Sequence, residues 1–235
     1  MNAKRRNVAI ICGGRSSEHE ISCISAKGVM SAIDLQLFNP ILVGITKSGQ
    51  WRLLKDVSEF AVGDDDLPCI PELPGNLRID RQGIWEVDGK NLNIDIAFPL
   101  LHGANGEDGT IQGLFEMAGI AYVGSGVLAS AVAMDKTFAK PIYADFGLRV
   151  ADGITVHQRD WLSNQAMELA KITALGLPIF IKPARSGSSR GTTKVKRAED
   201  IANALAKAHK HDPRALVEVA ISGREVECAV LEIEG

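Results

Sequence analysis

The stretch Asn7-Val-Ala-Ile-Ile-Cys-Gly-Gly14 is an apolar run that ends in two glycines. A continuous apolar run of this kind is typical of a strand that is buried on both faces of a parallel sheet. Ser17 and Glu20, three residues apart, form a capping-box pattern that predicts the start of a helix. Residues 39–45 repeat the strand pattern. The chain therefore begins as a β-α-β unit, which favours an α/β fold with a parallel sheet.

The rest of the first half combines an excursion from the sheet with a return to it. Between residues 56 and 92 an acidic cluster and three prolines leave room only for short hairpin pieces, around Ile79 and Trp85. The sheet is predicted to resume at residues 94–98. Beyond it the pattern predicts a helix at 109–118, a strand at 120–123 and a helix at 127–139 that Pro141 ends.

From about residue 140 the pattern changes to strands that are joined by loops. Strands at 178–182 and 192–195 flank a glycine-rich loop, which predicts an antiparallel ribbon. The last predicted strand is apolar and has no predicted partner, so residues after about 218 are expected to fray or to self-associate. The remaining predicted elements are helices at 163–175 and 199–209 and strands at 154–156, 215–219 and 224–233.

Composition and charge are those of an ordinary globular chain. The 235 residues are 46% hydrophobic and 23% charged, with a net charge of -3, which argues against disorder and against general nucleic-acid binding. No apolar stretch reaches the roughly 20 residues of a membrane-spanning helix, and no signal peptide is expected before the first strand. The four cysteines show neither a CxxC pair nor metal-ligand spacing, which favours reduced thiols in a cytoplasmic protein.

Residues 179–191 give the strongest indication of chemistry. They place Lys182 at the end of a strand, beside a loop of Gly and Ser residues whose amides and hydroxyls can lie against phosphates. Six cationic residues and no acidic one occur from Lys182 to Arg197. Such a local excess of positive charge indicates an anionic partner, and the alternative is a solvated basic hairpin. A P-loop is excluded because no GxxxxGK[ST] motif occurs.

Two further loops follow predicted strands of the parallel sheet. The turn at residues 13–20 places Glu18 at the carboxyl end of the first strand, where open sheets bind ligands. The second glutamate of this turn is explained by helix capping. Residues 101–109 carry His102 beside three glycines, again at the end of a strand. For this loop a solvated histidine and a helix cap are the alternatives to a ligand-facing role.

Four motifs together closely resemble those of the D-alanyl-D-alanine ligase family, which has the ATP-grasp fold. They occur in the family's order and cover essentially the whole chain: GGRSSEHEIS at 13–22, LHGANGEDG at 101–109, YVGSGVLASAVAMDK at 122–136 and KPARSGSSRG at 182–191. The resemblance implies an α/β fold with three parts. These are an N-terminal Rossmann-like domain at 1–124, a central ATP-grasp subdomain at 125–217 with a phosphate-covering loop at 183–191, and the start of the C-terminal ATP-grasp subdomain at 218–235.

Carried over position by position, the resemblance implies roles for ten residues. Glu18 is the implied partner of the ammonium group of the first D-alanine, His102 lies near the same substrate, and Ser188 helps to orient Glu18, so that Glu18 and Ser188 are the implied catalytic residues. On the ATP side the implied contacts are with the phosphates (Lys136, Lys182, Gly187, Ser188 and Ser189), with adenine (Glu218 and Ile221) and with the ribose (Glu225).

The implied reaction is the ATP-dependent ligation of two D-alanine molecules through an acyl phosphate, for the synthesis of peptidoglycan precursors. ATP and Mg²⁺ or Mn²⁺ are the implied cofactors, and the Asp, Glu and Asn that hold the metal in the family are expected beyond residue 235. The chain is thus expected to correspond to the first two-thirds of the enzyme and to lack activity alone. D-alanine and ATP are the expected partners, without nucleic acid or membrane, and a homodimer is left open for the full-length enzyme.

Two positions depart from the family pattern. Arg190 stands where the family usually has an apolar residue, and Val219 stands where a lysine is common. Two alternative functions are left open. One is another ATP-grasp carboxylate-amine ligase, such as a D-alanyl-D-lactate ligase, and the other is a non-catalytic fragment that binds ligands weakly.

Overall fold

The computed structural model describes residues 4–63 and 66–230 of the chain. Its strands are β1 Arg6–Gly13, β2 Phe38–Ile45, β3 Trp51–Leu54, β4 Ala61–Val62, β5 Pro68–Cys69, β6 Leu77–Asp80, β7 Gly83–Glu86, β8 Ile96–Pro99, β9 Gly153–His157, β10 Ile179–Pro183, β11 Thr193–Val195 and β12 Arg214–Val219. Its α-helices are α1 His19–Ala32, α2 Thr110–Ala118, α3 Val127–Met134, α4 Lys136–Asp145, α5 Gln158–Ser163, α6 Gln165–Thr173 and α7 Ile201–His209. Within the two described ranges no helix has both the length and the apolar character to cross a bilayer.

The chain divides into two compact units, Met1–Ala139 and Lys140–Gly235. The first unit holds a four-stranded sheet in the order β3-β2-β1-β8, in which β1 runs parallel to β2 and to β8. Two small hairpin sheets, β4-β5 and β6-β7, account for the excursion. The predicted parallel sheet and its β-α-β start are therefore confirmed. The domain limits after residues 124 and 217 stay predictions.

Strand β1 is buried on both faces, as its apolar run predicts. Ala9 and Ile11 belong to one hydrophobic core, whereas Val8, Ile10 and Cys12 belong to another. This division follows from the alternation of side chains along a strand. Helix α1 contributes Cys23 and Ala26 to the second core, and α2 contributes Ile111 and Phe115 to the first. The sheet is thus covered by a helix on each face.

The second unit holds an antiparallel sheet in the order β11-β10-β12-β9. Ile179 pairs with Val195, which confirms the predicted ribbon on either side of the glycine-rich loop. Alternate residues of β10, Ile179 and Ile181, are fully buried against one face of the sheet. Helix α7 covers that face with four apolar residues at helical spacing, Ile201, Ala204, Leu205 and Ala208.

Two helix predictions were wrong because side-chain caps divide the segments. The helix predicted at 127–139 ends at Met134, and α4 begins at once because Asp135 accepts the backbone N–H of Thr137. Pro141 lies inside α4 and does not end the helix. The helix predicted at 163–175 is likewise split into α5 and α6, where the side chain of Asn164 accepts a backbone N–H of the second helix.

Three further predictions need correction. The capping box does not form: α1 begins at His19, so Glu20 lies too early in the helix to close the box and instead forms an ion pair with Lys47 at 2.5 Å. The strand predicted at 120–123 is reduced to a single bridge from Tyr122 to Ala97. The strand predicted at 224–233 does not form over residues 224–230, whose side chains are exposed, and its last three residues lie outside the described part of the chain.

The end of β1 provides a test of this packing. Gly13 has φ +87, and a Cβ atom there would collide with the carbonyl oxygen of Ile45. We expect Gly13→Ala to lower the free energy of unfolding by about 2–5 kcal/mol. A residue with a Cβ atom is strained in the left-handed conformation, and the added atom also overpacks the site. Urea unfolding measures this loss.

Gly28 is the matched control for this substitution. It is exposed in α1, and a Cβ atom there would have no neighbour within 4 Å. Gly28→Ala is therefore expected to raise the free energy of unfolding by about 0.5–1 kcal/mol, through helix propensity alone. If both variants changed stability by the same amount, the close approach at Gly13 would not be the cause.

Candidate active site

A cavity of about 310 Å³ lies in the first unit, at the carboxyl ends of β1 and β2. Trp51, Ile111 and Leu114 form apolar walls, and His102 and Asn105 supply polar groups. Open parallel sheets bind their ligands at this end, because the loops that follow the strands meet there. The position of the cavity agrees with the prediction that these loops face a ligand.

Buried polar groups fix the ends of the strands beside this cavity. Ser22 Oγ accepts the N–H of Gly13 at 2.8 Å and donates to the carbonyl oxygen of Leu100 at 2.6 Å, which ties the end of β1 to the segment after β8. His19 is fully buried, and its Nε2 accepts the N–H of Ile70 at 3.0 Å. Both residues position loops, and neither role is predicted by the sequence pattern.

The structure brings Glu18 and the loop at residues 101–109 together. Glu18 precedes α1, and its N–H donates to Ser16 Oγ at 3.1 Å. Glu18 Oε2 lies 2.5 Å from the point where a Cβ atom of Gly103 would stand. The absence of a side chain at Gly103 therefore allows the carboxylate to lie against this loop. Two of the motifs quoted above thus meet at one place.

Both ring nitrogens of His102 lie near polar partners. Nε2 lies 2.9 Å from Ser25 Oγ, and Nδ1 lies 3.5 Å from Glu107 Oε1. The N-cap residue of α2 is Gly109, and the carboxylate of Asp108, just before it, accepts the N–H of Thr110 at 3.1 Å. The two acidic residues of the loop therefore differ: Asp108 satisfies a backbone N–H at the start of α2, whereas Glu107 faces the histidine.

In the second unit one carboxylate is shared by two lysines. Glu218 Oε2 accepts a hydrogen bond from Lys140 Nζ at 2.6 Å, and Glu218 Oε1 forms an ion pair with Lys182 Nζ. Burial alone would raise the pKa of the Glu218 carboxyl, but the hydrogen bonds from the two lysines outweigh it and lower this pKa. The Glu218 carboxylate is therefore ionised at neutral pH, and two lysines on one carboxylate give the cluster one excess positive charge.

The glycine-rich loop that follows β10 is anchored at its first residues. Arg185 Nε donates to Asp212 Oδ2 at 2.6 Å, and the side chain of Asp212 is buried. Ser188 and Ser189 have φ values of 48 and 55, a left-handed conformation that is uncommon without glycine. Gly191 also has a positive φ, 74. The loop therefore turns sharply between a fixed beginning and β11.

The other predicted site residues lie on different segments of the chain. Ile221 and Glu225 follow β12 in a segment without regular secondary structure, and both side chains are exposed. Lys136 begins α4 and belongs to the first unit. Sequence reasoning missed Lys140, whose only signal was its position one helical turn after Lys136. The described residues include no cluster of three or more His, Cys, Asp or Glu side chains that could hold a metal ion.

Comparison with known families identifies the architecture. Residues 7–125 match the family described as "D-ala D-ala ligase N-terminus", and residues 142–235 match "D-ala D-ala ligase C-terminus". The chain belongs to the D-alanine–D-alanine ligase family. The resemblance that the four motifs predict is thereby confirmed. The individual roles of the site residues stay predictions.

Relatives and solved structures of the ligase family agree with this assignment. The chain is 44% identical to the D-alanine–D-alanine ligase of Kineococcus radiotolerans and 45% identical to that of Rhodococcus erythropolis. These alignments cover 96% and 99% of this chain but 63% and 65% of the two relatives. The chain thus spans less than two-thirds of their length.

Two solved structures confirm the fold class. The VanG D-Ala:D-Ser ligase of Enterococcus faecalis has a TM-score of 0.79 and 35% identity, over 94% of this chain and 64% of that one. The D-alanine–D-alanine ligase of Coxiella burnetii has a TM-score of 0.80 and 30% identity, over 94% and 65% of the two chains. The α/β ATP-grasp architecture that the resemblance implies is therefore confirmed.

The Glu218 cluster makes stability depend on pH. The pKa of Glu218 is lowered from its ordinary value of 4.5, so its stabilising effect is complete above about pH 4.5 and is lost as the pH falls through the lower, folded-state pKa. We expect Glu218→Gln to lower the free energy of unfolding by about 1–3 kcal/mol at pH 7. The deficit should shrink below pH 4.5. Urea unfolding, followed through the NMR signals of β12, measures it.

Glu227→Gln is the control for the change in charge, because Glu227 is exposed and lies in the segment without regular structure. We expect no pH-dependent difference between this variant and the unchanged chain. A deficit for Glu218→Gln that stayed constant from pH 7 to pH 3 would contradict the ion-pair explanation.

Proposed function

We propose that this chain supplies the D-alanine-binding and ATP-binding residues of a D-alanine–D-alanine ligase, which joins two D-alanine molecules at the expense of ATP. The observation that carries the proposal is a pair of sites with opposite charge. A carboxylate, Glu18, lies at the sheet end of the first unit, and a positively charged cluster around Lys182 lies in the second. The first suits an ammonium group and the second suits phosphates.

On the substrate side, Glu18 binds the ammonium group of the first D-alanine. Gly103 leaves space for its carboxylate, and the N–H of Glu18 is held by Ser16. His102, fixed by Ser25 and Glu107, lies in the wall of the adjoining cavity, near the same substrate. A charge-assisted hydrogen bond between Glu18 and the ammonium group selects an amino acid and orients its carboxylate for reaction.

On the nucleotide side, Lys182 and Lys136 bind phosphates, together with the loop residues Gly187, Ser188 and Ser189. Ser188 also orients Glu18. Glu218 accepts a hydrogen bond from the adenine amino group, Ile221 packs near the base, and Glu225 binds the ribose hydroxyls. The basic loop and the excess charge of the lysine cluster support this part of the proposal.

The chemistry needs positioned charges more than covalent help from the protein. A carboxylate oxygen of the first D-alanine attacks the γ-phosphorus of ATP, and the bond to the bridging oxygen breaks to release ADP. The amine of the second D-alanine then attacks the acyl phosphate, loses a proton and expels inorganic phosphate. Lysine cations and loop amides stabilise the charge on the transferred group, and loop closure excludes water from the acyl phosphate.

Family membership implies a divalent metal, but the described residues do not offer a ligand set for one. We therefore assign no step of the reaction to a metal held by this part of the chain. The product, a D-alanyl-D-alanine dipeptide, is a precursor of peptidoglycan. We place its synthesis in the cytoplasm, where ATP is available.

ADP release tests the proposed reaction. We expect no turnover from the 235-residue chain alone. A version that is extended through the C-terminal third of the Kineococcus relative should release ADP when D-alanine, ATP and magnesium are all present. Competition with D-serine and D-lactate should leave the D-alanine dipeptide as the main product. ADP release without D-alanine, or a main product that contains D-lactate, would overturn the proposal.

Glu18→Gln tests the substrate side in the same extended chain. Loss of a charge-assisted hydrogen bond to an ammonium group costs about 1.5–3 kcal/mol, so the KM for D-alanine should rise by about tenfold to a hundredfold. The KM for ATP should stay within about twofold, since the carboxylate acts on the amino acid.

Glu20→Gln is the matched control, because this neighbouring carboxylate pairs with Lys47. It should leave both KM values unchanged. An equal loss of ATP affinity in the Glu18 variant would show that Glu18 acts on the fold and not on the substrate.

A further inference from the structure

Lys140 has two hydrogen-bond partners in the second unit, one on β12 and one just before β9. Its Nζ donates to Glu218 Oε2 and to the carbonyl oxygen of Ala151, both at 2.6 Å. Ala151 lies just before β9, and β9 pairs with β12, which carries Glu218. The ammonium group is therefore held between the start of one strand and a side chain of the next. Its side chain is only 19% exposed.

The position of the Glu218 carboxylate is restricted from a second direction. Gly153 pairs with Glu218 across the sheet, and a Cβ atom at Gly153 would stand 2.9 Å from the Cβ atom of Glu218. The side chain of Glu218 thus lies over a glycine, with Lys140 on one oxygen and Lys182 on the other. Each lysine therefore has its own oxygen of this carboxylate.

The two lysines are not equivalent in what they can do when a nucleotide arrives. In the proposed function Lys182 moves to a phosphate, which removes one of the two cations that lower the pKa of Glu218. A buried carboxylate without a cation takes up a proton more readily. A protonated carboxyl group would lose one acceptor oxygen for the adenine amino group.

We propose that Lys140 is a positioning residue of the nucleotide site. It remains on Glu218 and Ala151 while Lys182 is exchanged to the phosphates, and it thereby keeps the carboxylate ionised and aimed as an acceptor for the exocyclic amino group of adenine. The inference rests on the proposed function. Lys140 thus affects the recognition of adenine and not the binding of the phosphates.

The test compares ATP with purine riboside 5′-triphosphate, in which a hydrogen replaces the amino group of adenine. The Kd values of both nucleotides are measured by ligand-observed NMR with the 235-residue chain, its Lys140→Met variant and a control. The control is Lys171→Met, because Lys171 also pairs at 2.6 Å with a buried carboxylate, that of Glu168, in the same unit. Lys140→Arg restores the charge.

We expect the unchanged chain to bind ATP about tenfold more tightly than the analogue, the value of one charge-assisted hydrogen bond. Lys140→Met should reduce this preference to about twofold or less and should leave the affinity for the analogue within about threefold. Lys171→Met and Lys140→Arg should keep the preference. If Lys140→Met does not fold, Lys140→Gln replaces it, because glutamine is uncharged and can still donate to a carbonyl group. The same loss of the preference for ATP is then expected of Lys140→Gln.

The outcomes separate this inference from the proposed function. If the unchanged chain binds neither nucleotide, or binds both equally, the proposed adenine contact of Glu218 is wrong and the inference falls with it. If the unchanged chain prefers ATP and Lys140→Met keeps that preference, the inference is overturned while the proposed function stands. Equal losses in the Lys140 and Lys171 variants, or no restoration by Lys140→Arg, would also overturn it.

Discussion

Burial of β1 on both faces is the constraint on which the first unit depends. Residues Val8 to Cys12 alternate between two hydrophobic cores, so no polar side chain can be placed along the strand without loss of apolar contact. Chemistry is therefore confined to the end of the strand, where Gly13 and Gly14 turn the chain toward Glu18. The buried hydroxyl of Ser22 then satisfies the backbone at that end and connects it to the segment after β8. The residues of the proposed substrate site are thus placed by the packing of a strand that contains none of them.

The register of the antiparallel sheet has the same effect in the second unit. Phe180 stands opposite Glu218, and Lys182 is two residues farther along the same face of β10. Lysine and glutamate are therefore diagonal neighbours on the face that α7 does not cover, within reach of long side chains. A shift of either strand by one residue would move the charged side chain of that strand into the apolar core. The hydrophobic alternation of Ile179 and Ile181 thus determines where the charged cluster lies.

Much of this arrangement follows from the sequence. The features that the sequence did not predict were missed for physical reasons. Periodicity locates β1, β10 and β12, and the glycine-rich motifs mark the loops that carry Glu18 and His102. The caps at Asp135 and Asn164 were missed, because a single side chain that accepts a backbone N–H divides a helix without altering its apolar pattern. Lys140 could not be found from spacing alone. Its partners come from β12 and from the approach to β9, and only the folded register brings those segments to it.

In the proposed function, the Glu218 carboxylate of the lysine cluster serves both stability and binding. Two ammonium groups on one carboxylate leave a net positive charge in a partly buried place, and such a charge is costly unless an anion reaches it. The cluster reduces that cost through the Glu218 pair, and in the proposed function an incoming phosphate reduces it further by pairing with Lys182. Glu218 keeps one cationic partner during this exchange if Lys140 does not move. The hydrogen bond from Lys140 to the Ala151 carbonyl oxygen holds Lys140 in place. The second lysine therefore supports the proposed nucleotide site, because a purely structural ion pair would need only one of the two lysines.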